Sequence, residues 1–366
     1  HVDPDGRASK GSMLEPGLAY DAGFLEYQGF LCDAFPGVVS TTICSLLESI
    51  EVPTKAYNLN YPSIGISELP GSRTVMRTVT SVTRESGWRV YNVSVDAPPG
   101  YTVSVSPSTL RVKSGDSASY YVTVTNDGAP VGEWRYGSLR WVDATGRYDV
   151  YSPLAVRGKL FEAPEEISGG GESGSASFDV AFGYTGSYTA AAHGLEAATV
   201  TSGNVVQDPD QNFSRVDGYS KLHEFVLSGA ALFRIALPPE ATEPNADLDI
   251  YVYNPDGNLV ASGTTGVTDE QIDIVLPADG TWKVYVHGWS TPGGDSDYGL
   301  YTWAISATPG GNLTVDAAPA SATLGTIGTV DVSWTGATAG DWRLGAVSHT
   351  GDSGLMGLTL IEVDNR

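Results

Sequence analysis

The chain has 366 residues, of which 41% are hydrophobic, so it is long enough for two or three domains with buried cores. Its net charge of −23 is uneven: residues 161–307 carry 4 basic and 21 acidic groups, whereas residues 1–160 carry 14 and 16. This acidity disfavours nucleic acid and anionic membranes as partners. No apolar run approaches the roughly 20 residues of a membrane-spanning helix, so no membrane span is expected.

The first 56 residues differ in pattern from everything that follows. The chain opens HVDPDG, without an initiator Met or a signal peptide, which indicates a processed or excised product. FLEYQGFLC and STTICSLLESI place apolar residues at helical spacing, and Ser40 or Thr41 can cap the second helix. Because both helices carry apolar residues on more than one side, we expect them to belong to a larger body.

Cys32 and Cys44 are the only cysteines. In an exported protein they would form one disulfide bridge, and in a cytosolic protein they would remain two buried thiols. The rest of the composition looks extracellular, which favours the bridge.

From about residue 57 the pattern becomes β. Seven candidate strands follow within about a hundred residues, separated by turns such as LPGS and NDGAP: SIGISEL, TVMRTVTSV, WRVYNVSV, TVSVSPSTLRV, ASYYVTVTN, GSLRWVDA and VYSPLAVRG. Alternation along ASYYVTVT puts Tyr120 and Tyr121 on opposite faces, one of them in the core. The pattern predicts an immunoglobulin-like or fibronectin-like sandwich over residues 57–160.

The remaining residues divide into three segments. PEEISGGGESGSA is rich in Gly and Ser, which predicts a linker over 161–176. Residues 177–307 form a second β region, and residues 308–366 form a small immunoglobulin-like tail that is too short for a core of its own. The expected fold is therefore mainly β, with tandem antiparallel sandwiches after a short helical segment.

Seven motifs occur in a fixed order along the first half of the chain: HVDP, PGLAYDAGFLEYQGFLC, NLNYPSIGI, TVMRTVTSV, APPGYTVSVSPSTLRV, GEWRYGSLRW and SPLAVRG. Together they resemble the C-terminal part of plant-type subtilisin-like serine proteases (subtilases, peptidase S8). The resemblance implies that residues 1–56 close the catalytic domain and that residues 57–160 form a fibronectin-III-like domain. The family's Gly-Thr-Ser-Met-Ala motif does not occur in the chain, so it is expected to lack the catalytic triad and to be inactive alone.

Residues 177–307 resemble the pre-peptidase C-terminal domain of secreted bacterial proteases, through ADLDIYVYNPDGNLVASG and LPADGTWKVYVHGW. This resemblance implies a jelly-roll-like β-sandwich and a secreted parent protein. The preference for Arg over Lys indicates a bacterial source.

Paired carboxylates in this region suggest a cation site. Asp247 and Asp249 lie at i and i+2, on one face of a strand, where they repel each other unless a cation lies between them. Together with Asp295 and Asp297 they could bind Ca²⁺, which prefers oxygen ligands. The alternative is a solvated strand face of an acidic domain.

Aromatic residues cluster near the end of the same region: Trp282, Tyr285, Trp289, Tyr298, Tyr301 and Trp303. Trp289 and Tyr298 are the candidates for docking a protein or carbohydrate substrate. The alternative is that alternating aromatic residues in strands form the core.

We expect a non-catalytic accessory region of a secreted subtilisin-like endopeptidase, which stabilises its own catalytic domain and helps to dock the protein substrate. One alternative is a free-standing extracellular module that binds protein or glycan. Another is a cryptic chymotrypsin-like protease, because His193, Asp249 and Ser353 follow the order of that triad. The GDSG around Ser353 is, however, also a common turn sequence.

Overall fold

The computed structural model describes residues 16–35 and 38–366. The fold is mostly β with two helices near the N-terminus, as the sequence predicts. The chain divides into two compact units. The described residues up to Glu162 form the first unit together with Ala181–Gly186 and Ala322–Ile327, and Ala163–Val180, Ser187–Ser321 and Gly328–Arg366 form the second.

The two helices are α1 (Phe24–Ala34) and α2 (Thr41–Ser49). Ser40 is the N-cap of α2, and its side chain accepts a hydrogen bond from the Ile43 amide at 3.4 Å. Cys32 of α1 and Cys44 of α2 form a disulfide, with their Cα atoms 5.9 Å apart. The bridge ties the two helices into one pair.

The described residues up to Glu162 contain ten strands: β1 (Leu18–Ala19), β2 (Ile64–Leu69), β3 (Ser72–Ser81), β4 (Arg89–Asp96), β5 (Tyr101–Ser106), β6 (Thr109–Val112), β7 (Ser117–Asn126), β8 (Trp134–Asp143), β9 (Asp149–Gly158) and β10 (Phe161–Glu162). One sheet has the order β1-β3-β7-β5 and the other β2-β9-β8-β4-β6. The expected alternation holds, since Tyr120 is fully buried and meets the Trp141 ring edge-on at 5.0 Å, whereas Tyr121 is exposed.

Sixteen strands follow: β11 (Glu166–Gly169), β12 (Gly174–Phe182), β13 (Gly186–Ala197), β14 (Thr199–Val206), β15 (Ser220–Leu227), β16 (Ala230–Leu237), β17 (Asp247–Tyr253), β18 (Leu259–Gly263), β19 (Glu270–Val275), β20 (Gly280–Ser290), β21 (Asp295–Ser306), β22 (Leu313–Ala317), β23 (Ser321–Ala322), β24 (Ile327–Trp334), β25 (Trp342–Gly351) and β26 (Gly354–Asp364). The strands β14–β21 form two sheets, in the orders β14-β21-β16-β19 and β15-β20-β17-β18. We call them the inserted sandwich.

The inserted sandwich interrupts another one. Strand β11 pairs in parallel with β26, and β13 pairs antiparallel with β25, so strands from before and after residues 199–306 share a sheet. We call β11–β13 with β22–β26 the host sandwich. The tail expected at 308–366 therefore shares its sheets with residues that precede the insertion.

The segment expected to be a linker at 161–176 carries β11 and the start of β12 instead. A Cβ added to Gly169 would lie 2.6 Å from the indole of Trp334, and one added to Gly174 would lie 2.3 Å from it. Glycine is needed at these positions because the backbone packs closely against a tryptophan ring. A Gly-rich sequence can therefore arise from close packing as well as from a flexible linker.

A buried charge cluster joins the two sandwiches of the second unit. The buried Arg234 side chain, on β16, donates to Asp273 at 2.7 Å, to Glu362 at 3.3 Å and to Glu166. Desolvation, together with the nearby Glu166, raises the pKa of Glu362 to about 7. Trp303 of the inserted sandwich lies beside this cluster in an apolar core that it shares with the host sandwich.

We expect Gly174→Ala to lower the unfolding free energy of the second unit by about 1–3 kcal/mol, because the added methyl group overlaps the Trp334 ring. Gly170→Ala is the matched control in the same segment, since its Cβ would meet nothing closer than 3.7 Å. Urea denaturation of both variants gives the comparison. Equal stability of the two would show that this segment does not pack as described.

Glu362 also makes stability depend on pH. Its pKa is raised from 4.5 to about 7 in the folded chain, so its contribution is complete below pH 4.5 and is lost as the pH rises to about 7. We expect Glu362→Gln, which still accepts the hydrogen bond of Trp342, to flatten the fall in unfolding free energy across this window. The exposed Glu172→Gln should follow the wild type, and identical slopes for all three proteins would contradict the assignment.

Candidate functional site

The NLNYPSI segment closes the open edge of β3 with side-chain amides. Asn58 Oδ1 accepts a hydrogen bond from the Met76 amide at 3.1 Å. Asn60 Oδ1 accepts from the Thr78 amide at 2.8 Å, while its Nδ2 donates to the Thr78 carbonyl at 2.9 Å. Strand β1 pairs with the last two residues of β3. The two asparagines thus replace the backbone of a missing neighbouring strand.

Two polar side chains also fix this part of the chain to the sandwich, Tyr20 for the residues before α1 and Arg77 for the NLNYPSI segment. The Tyr20 hydroxyl lies 2.8 Å from the Tyr120 hydroxyl and 2.9 Å from Ser152 Oγ, and desolvation raises the pKa of Tyr20. The buried Arg77 guanidinium donates to the carbonyls of Met76, Tyr61 and Ser63. Desolvation lowers the pKa of Arg77 to about 10.

The helix pair held in this way exposes large apolar side chains. Phe24 of α1 is 73% exposed and Leu46 of α2 is 58% exposed. Further exposed apolar residues lie on, between and directly after the helices: Leu25, Tyr27, Phe35, Val38, Ile43 and Ile50. We call this set the apolar helix surface. Exposed large apolar side chains concentrated on one helix pair are typical of an interaction site.

The first pair of predicted calcium ligands lies on β17. Asp249 is buried, with Oδ2 3.4 Å from His287 Nδ1, while His287 Nε2 lies 2.8 Å from Asp208 Oδ2. Burial disfavours the imidazolium, but the hydrogen bonds with Asp249 and Asp208 outweigh it and raise the pKa of His287. Desolvation and the charge of Asp249 raise the pKa of Asp247. His287 thus takes the place beside Asp249 where a cation was expected.

The second pair of predicted ligands lies on β21, in the opposite sheet of the inserted sandwich. Asp295 and Asp297 both accept hydrogen bonds from Asn204 Nδ2, at 3.0 and 2.8 Å. In residues 16–35 and 38–366, no group of three or more His, Cys, Asp or Glu side chains is arranged to hold a metal ion. The structure therefore does not bring the four aspartates together, because strand pairing sends the two pairs to different sheets.

The predicted docking aromatics have different environments. Tyr298 is only 3% exposed and its hydroxyl lies 2.7 Å from His223 Nε2, so its ring is not accessible to a substrate. Trp289 is 37% exposed, at the end of β20. Phe213 stacks on Tyr251 at 3.7 Å and covers part of the same sheet.

The residues of the chymotrypsin-like alternative are not assembled either. The ring nitrogens of buried His193 lie 3.0 Å from the Ser306 carbonyl and 2.9 Å from Ser348 Oγ. Asp249 orients His287 rather than His193. Ser353 lies in the turn between β25 and β26, as its turn-forming sequence predicts.

Comparison with known domains identifies two parts of the chain. Residues 58–156 match the fibronectin type-III domain, and residues 206–288 match the bacterial pre-peptidase C-terminal domain. The chain carries both domains. The fibronectin type-III domain is the sandwich of the first unit, and the pre-peptidase C-terminal domain lies within the inserted sandwich.

About 40% of the chain is similar to plant subtilisin-like proteases, consistent with the C-terminal region of a subtilase. A CO(2)-response secreted protease of Arabidopsis thaliana is 37% identical over 163 residues, which are 41% of this chain and 20% of that protein. Subtilisin-like serine-protease S of Lotus japonicus is 35% identical over 159 residues, which are 43% of this chain and 20% of that protein. The chain thus spans about a fifth of the length of these relatives, and their plant origin does not support the expected bacterial source.

Among solved structures, the secreted serine protease VesC of Vibrio cholerae aligns at a TM-score of 0.22 and 12% identity, over 68% of this chain and 50% of that one. This similarity is too low to bear on the fold.

No helix in the described ranges has the length and apolarity needed to cross a membrane.

The sequence pattern did not predict the hydrogen bonds of several residues in these sites. Asn58 and Asn60 belong to the motif NLNYPSIGI, but their partners lie 18 residues away on β3 of the fibronectin type-III domain. His287 was one of five scattered histidines without metal-ligand spacing. Its partner Asp208 lies 79 residues before it, so no local signal links the two.

We expect Tyr20→Phe to destabilise the first unit by about 1–2 kcal/mol, because the hydroxyls of Tyr120 and Ser152 lose a buried partner. Tyr136→Phe, at an exposed tyrosine, is the control and should stay within about 0.5 kcal/mol of the wild type. Chemical denaturation measures both. An equal effect of the two substitutions would mean that Tyr20 does not fix the N-terminal segment.

Proposed function

We propose that this chain is the non-catalytic C-terminal accessory region of a secreted subtilisin-like serine endopeptidase. In this role, the fibronectin type-III domain holds the last helices of the catalytic domain in place and thereby stabilises it. The second unit helps to dock the protein substrate, with Trp289 as the accessible aromatic residue of the predicted pair.

The apolar helix surface is the observation that carries this proposal. Exposed to water, its apolar side chains do not stabilise the protein. Burying one leucine in a contact with another protein body contributes about 2 kcal/mol or more of free energy. The helices are fixed to the fibronectin type-III domain through β1, Tyr20 and the Asn58–Asn60 segment, so the surface is presented in one orientation. A protein body that precedes the helices in the chain is the natural partner for it.

Two further observations support the proposal. The chain corresponds to a fifth of the length of the similar plant proteases, which leaves room for a catalytic domain in the parent protein. The Cys32–Cys44 disulfide suits an oxidising extracellular compartment, and one of the relatives is named as a secreted protease.

The experiment is Leu46→Glu in the full-length parent protease. We expect the catalytic domain to lose about 2 kcal/mol or more of stability. The reason is that a charge replaces Leu46, which is exposed in this chain and would be buried in the proposed contact. The readout is the thermal inactivation of protease activity together with the unfolding midpoint.

Val226→Glu, at an apolar residue 79% exposed in the pre-peptidase C-terminal domain, is the matched control. Both variants of the present chain alone should unfold like the wild type, since both side chains are exposed in it. If the two substitutions have the same effect on the full-length protein, the helix pair does not contact the catalytic domain.

A further inference from the structure

The outer face of the sheet β2-β9-β8-β4-β6 differs in chemistry from the rest of this acidic chain. Along β8, Leu139 and Trp141 point into the core, so Tyr136 and Arg140 point outward. The same alternation places Arg111 on the outer face of β6, and Tyr151 and Arg157 on the outer face of β9. Three aromatic–cation groups follow one another across this face.

The first group lies at one end of the sheet, around Trp88. This indole is 50% exposed, with Arg111 Cζ 4.5 Å and Lys113 Nζ 4.6 Å from the ring centroid. Within the described part of the chain, neither Arg111 nor Lys113 has a carboxylate at ion-pair distance. Two cations without a carboxylate partner in the described residues therefore lie beside an accessible aromatic ring, where the start of β4 meets the end of the edge strand β6.

The other two groups lie further along β8 and β9. Arg140 lies 4.9 Å from the Tyr151 ring and also pairs with Asp149 at 2.8 Å. Arg157 lies 5.2 Å from the ring of Trp134, which is its cross-strand partner. We call the three groups together the basic-aromatic strip.

The strip is long and crosses the sheet from β9 and β8 to the ends of β4 and β6. Arg140 and Trp134 are six residues apart on β8, which is about 20 Å at 3.3 Å per residue, and the Trp88 group extends it in the other direction. At its far end, Trp134 also lines a cavity of about 580 Å³. A path of this length suits an extended polymer better than a small ligand.

We propose that the basic-aromatic strip binds an acidic polysaccharide whose sugar rings carry carboxylates. The aromatic faces offer stacking surfaces for sugar rings, and the cations of Arg111 and Lys113 are complementary to uronate groups. A nucleic acid fits less well, because its phosphate charges are denser and are repelled more strongly by the chain's net charge of −23.

The test uses the purified chain and polygalacturonate, with affinity measured by isothermal titration calorimetry at low and at physiological salt. The wild type should bind, and more weakly at the higher salt because its ion pairs are screened. Arg111→Ala with Lys113→Ala should weaken binding about tenfold, and Trp88→Ala should do the same.

Arg215→Ala is the matched control, because Arg215 also stacks on a tyrosine, Tyr253 at 4.8 Å, but lies in the second unit. It should bind like the wild type, and thermal unfolding should show that every variant is folded.

Two further polymers test the chemistry of the partner. Fully methyl-esterified polygalacturonate keeps the sugar rings but has no charge, and single-stranded DNA keeps the charge without uronate. Both should bind at least tenfold more weakly than polygalacturonate. The proposal is overturned if the double variant binds like the wild type, if the esterified polymer binds equally well, or if DNA binds as tightly.

Discussion

The first unit depends on how the edge of β3 is closed. An unpaired strand edge leaves backbone donors and acceptors without partners, and here Asn58, Asn60 and the two residues of β1 satisfy them. Tyr20 adds hydrogen bonds in the core. The helix pair is consequently positioned on the fibronectin type-III domain even though its own apolar side chains are largely exposed.

The second unit depends on contacts between residues far apart in sequence. The host sandwich forms only when β11–β13 meet β22–β26, and Trp334 packs over glycines about 160 residues before it. Arg234 then places one buried cation among carboxylates from both sandwiches. Because a buried guanidinium needs these partners, the insertion is anchored by charge as well as by its apolar core.

The apolar helix surface and the basic-aromatic strip are different surfaces of the first unit. The apolar helix surface suits a protein body, since it offers many exposed apolar atoms on a disulfide-linked frame. The basic-aromatic strip suits a charged polymer, since its cations alternate with aromatic rings along one sheet face. Neither role requires bond-breaking chemistry from this chain.

The sequence alone determined the features that arise from local patterns. Period-two alternation predicted the strands and that Tyr120 and Tyr121 lie on opposite faces, and turn signals marked strand ends. Tertiary structure decided which strands pair. Strand pairing makes the Gly-rich segment part of a sheet, and it places Asp247 and Asp249 in a different sheet from Asp295 and Asp297. It also buries Tyr298. The physical reason is that pairing partners up to about 200 residues apart leave no periodic trace in either segment.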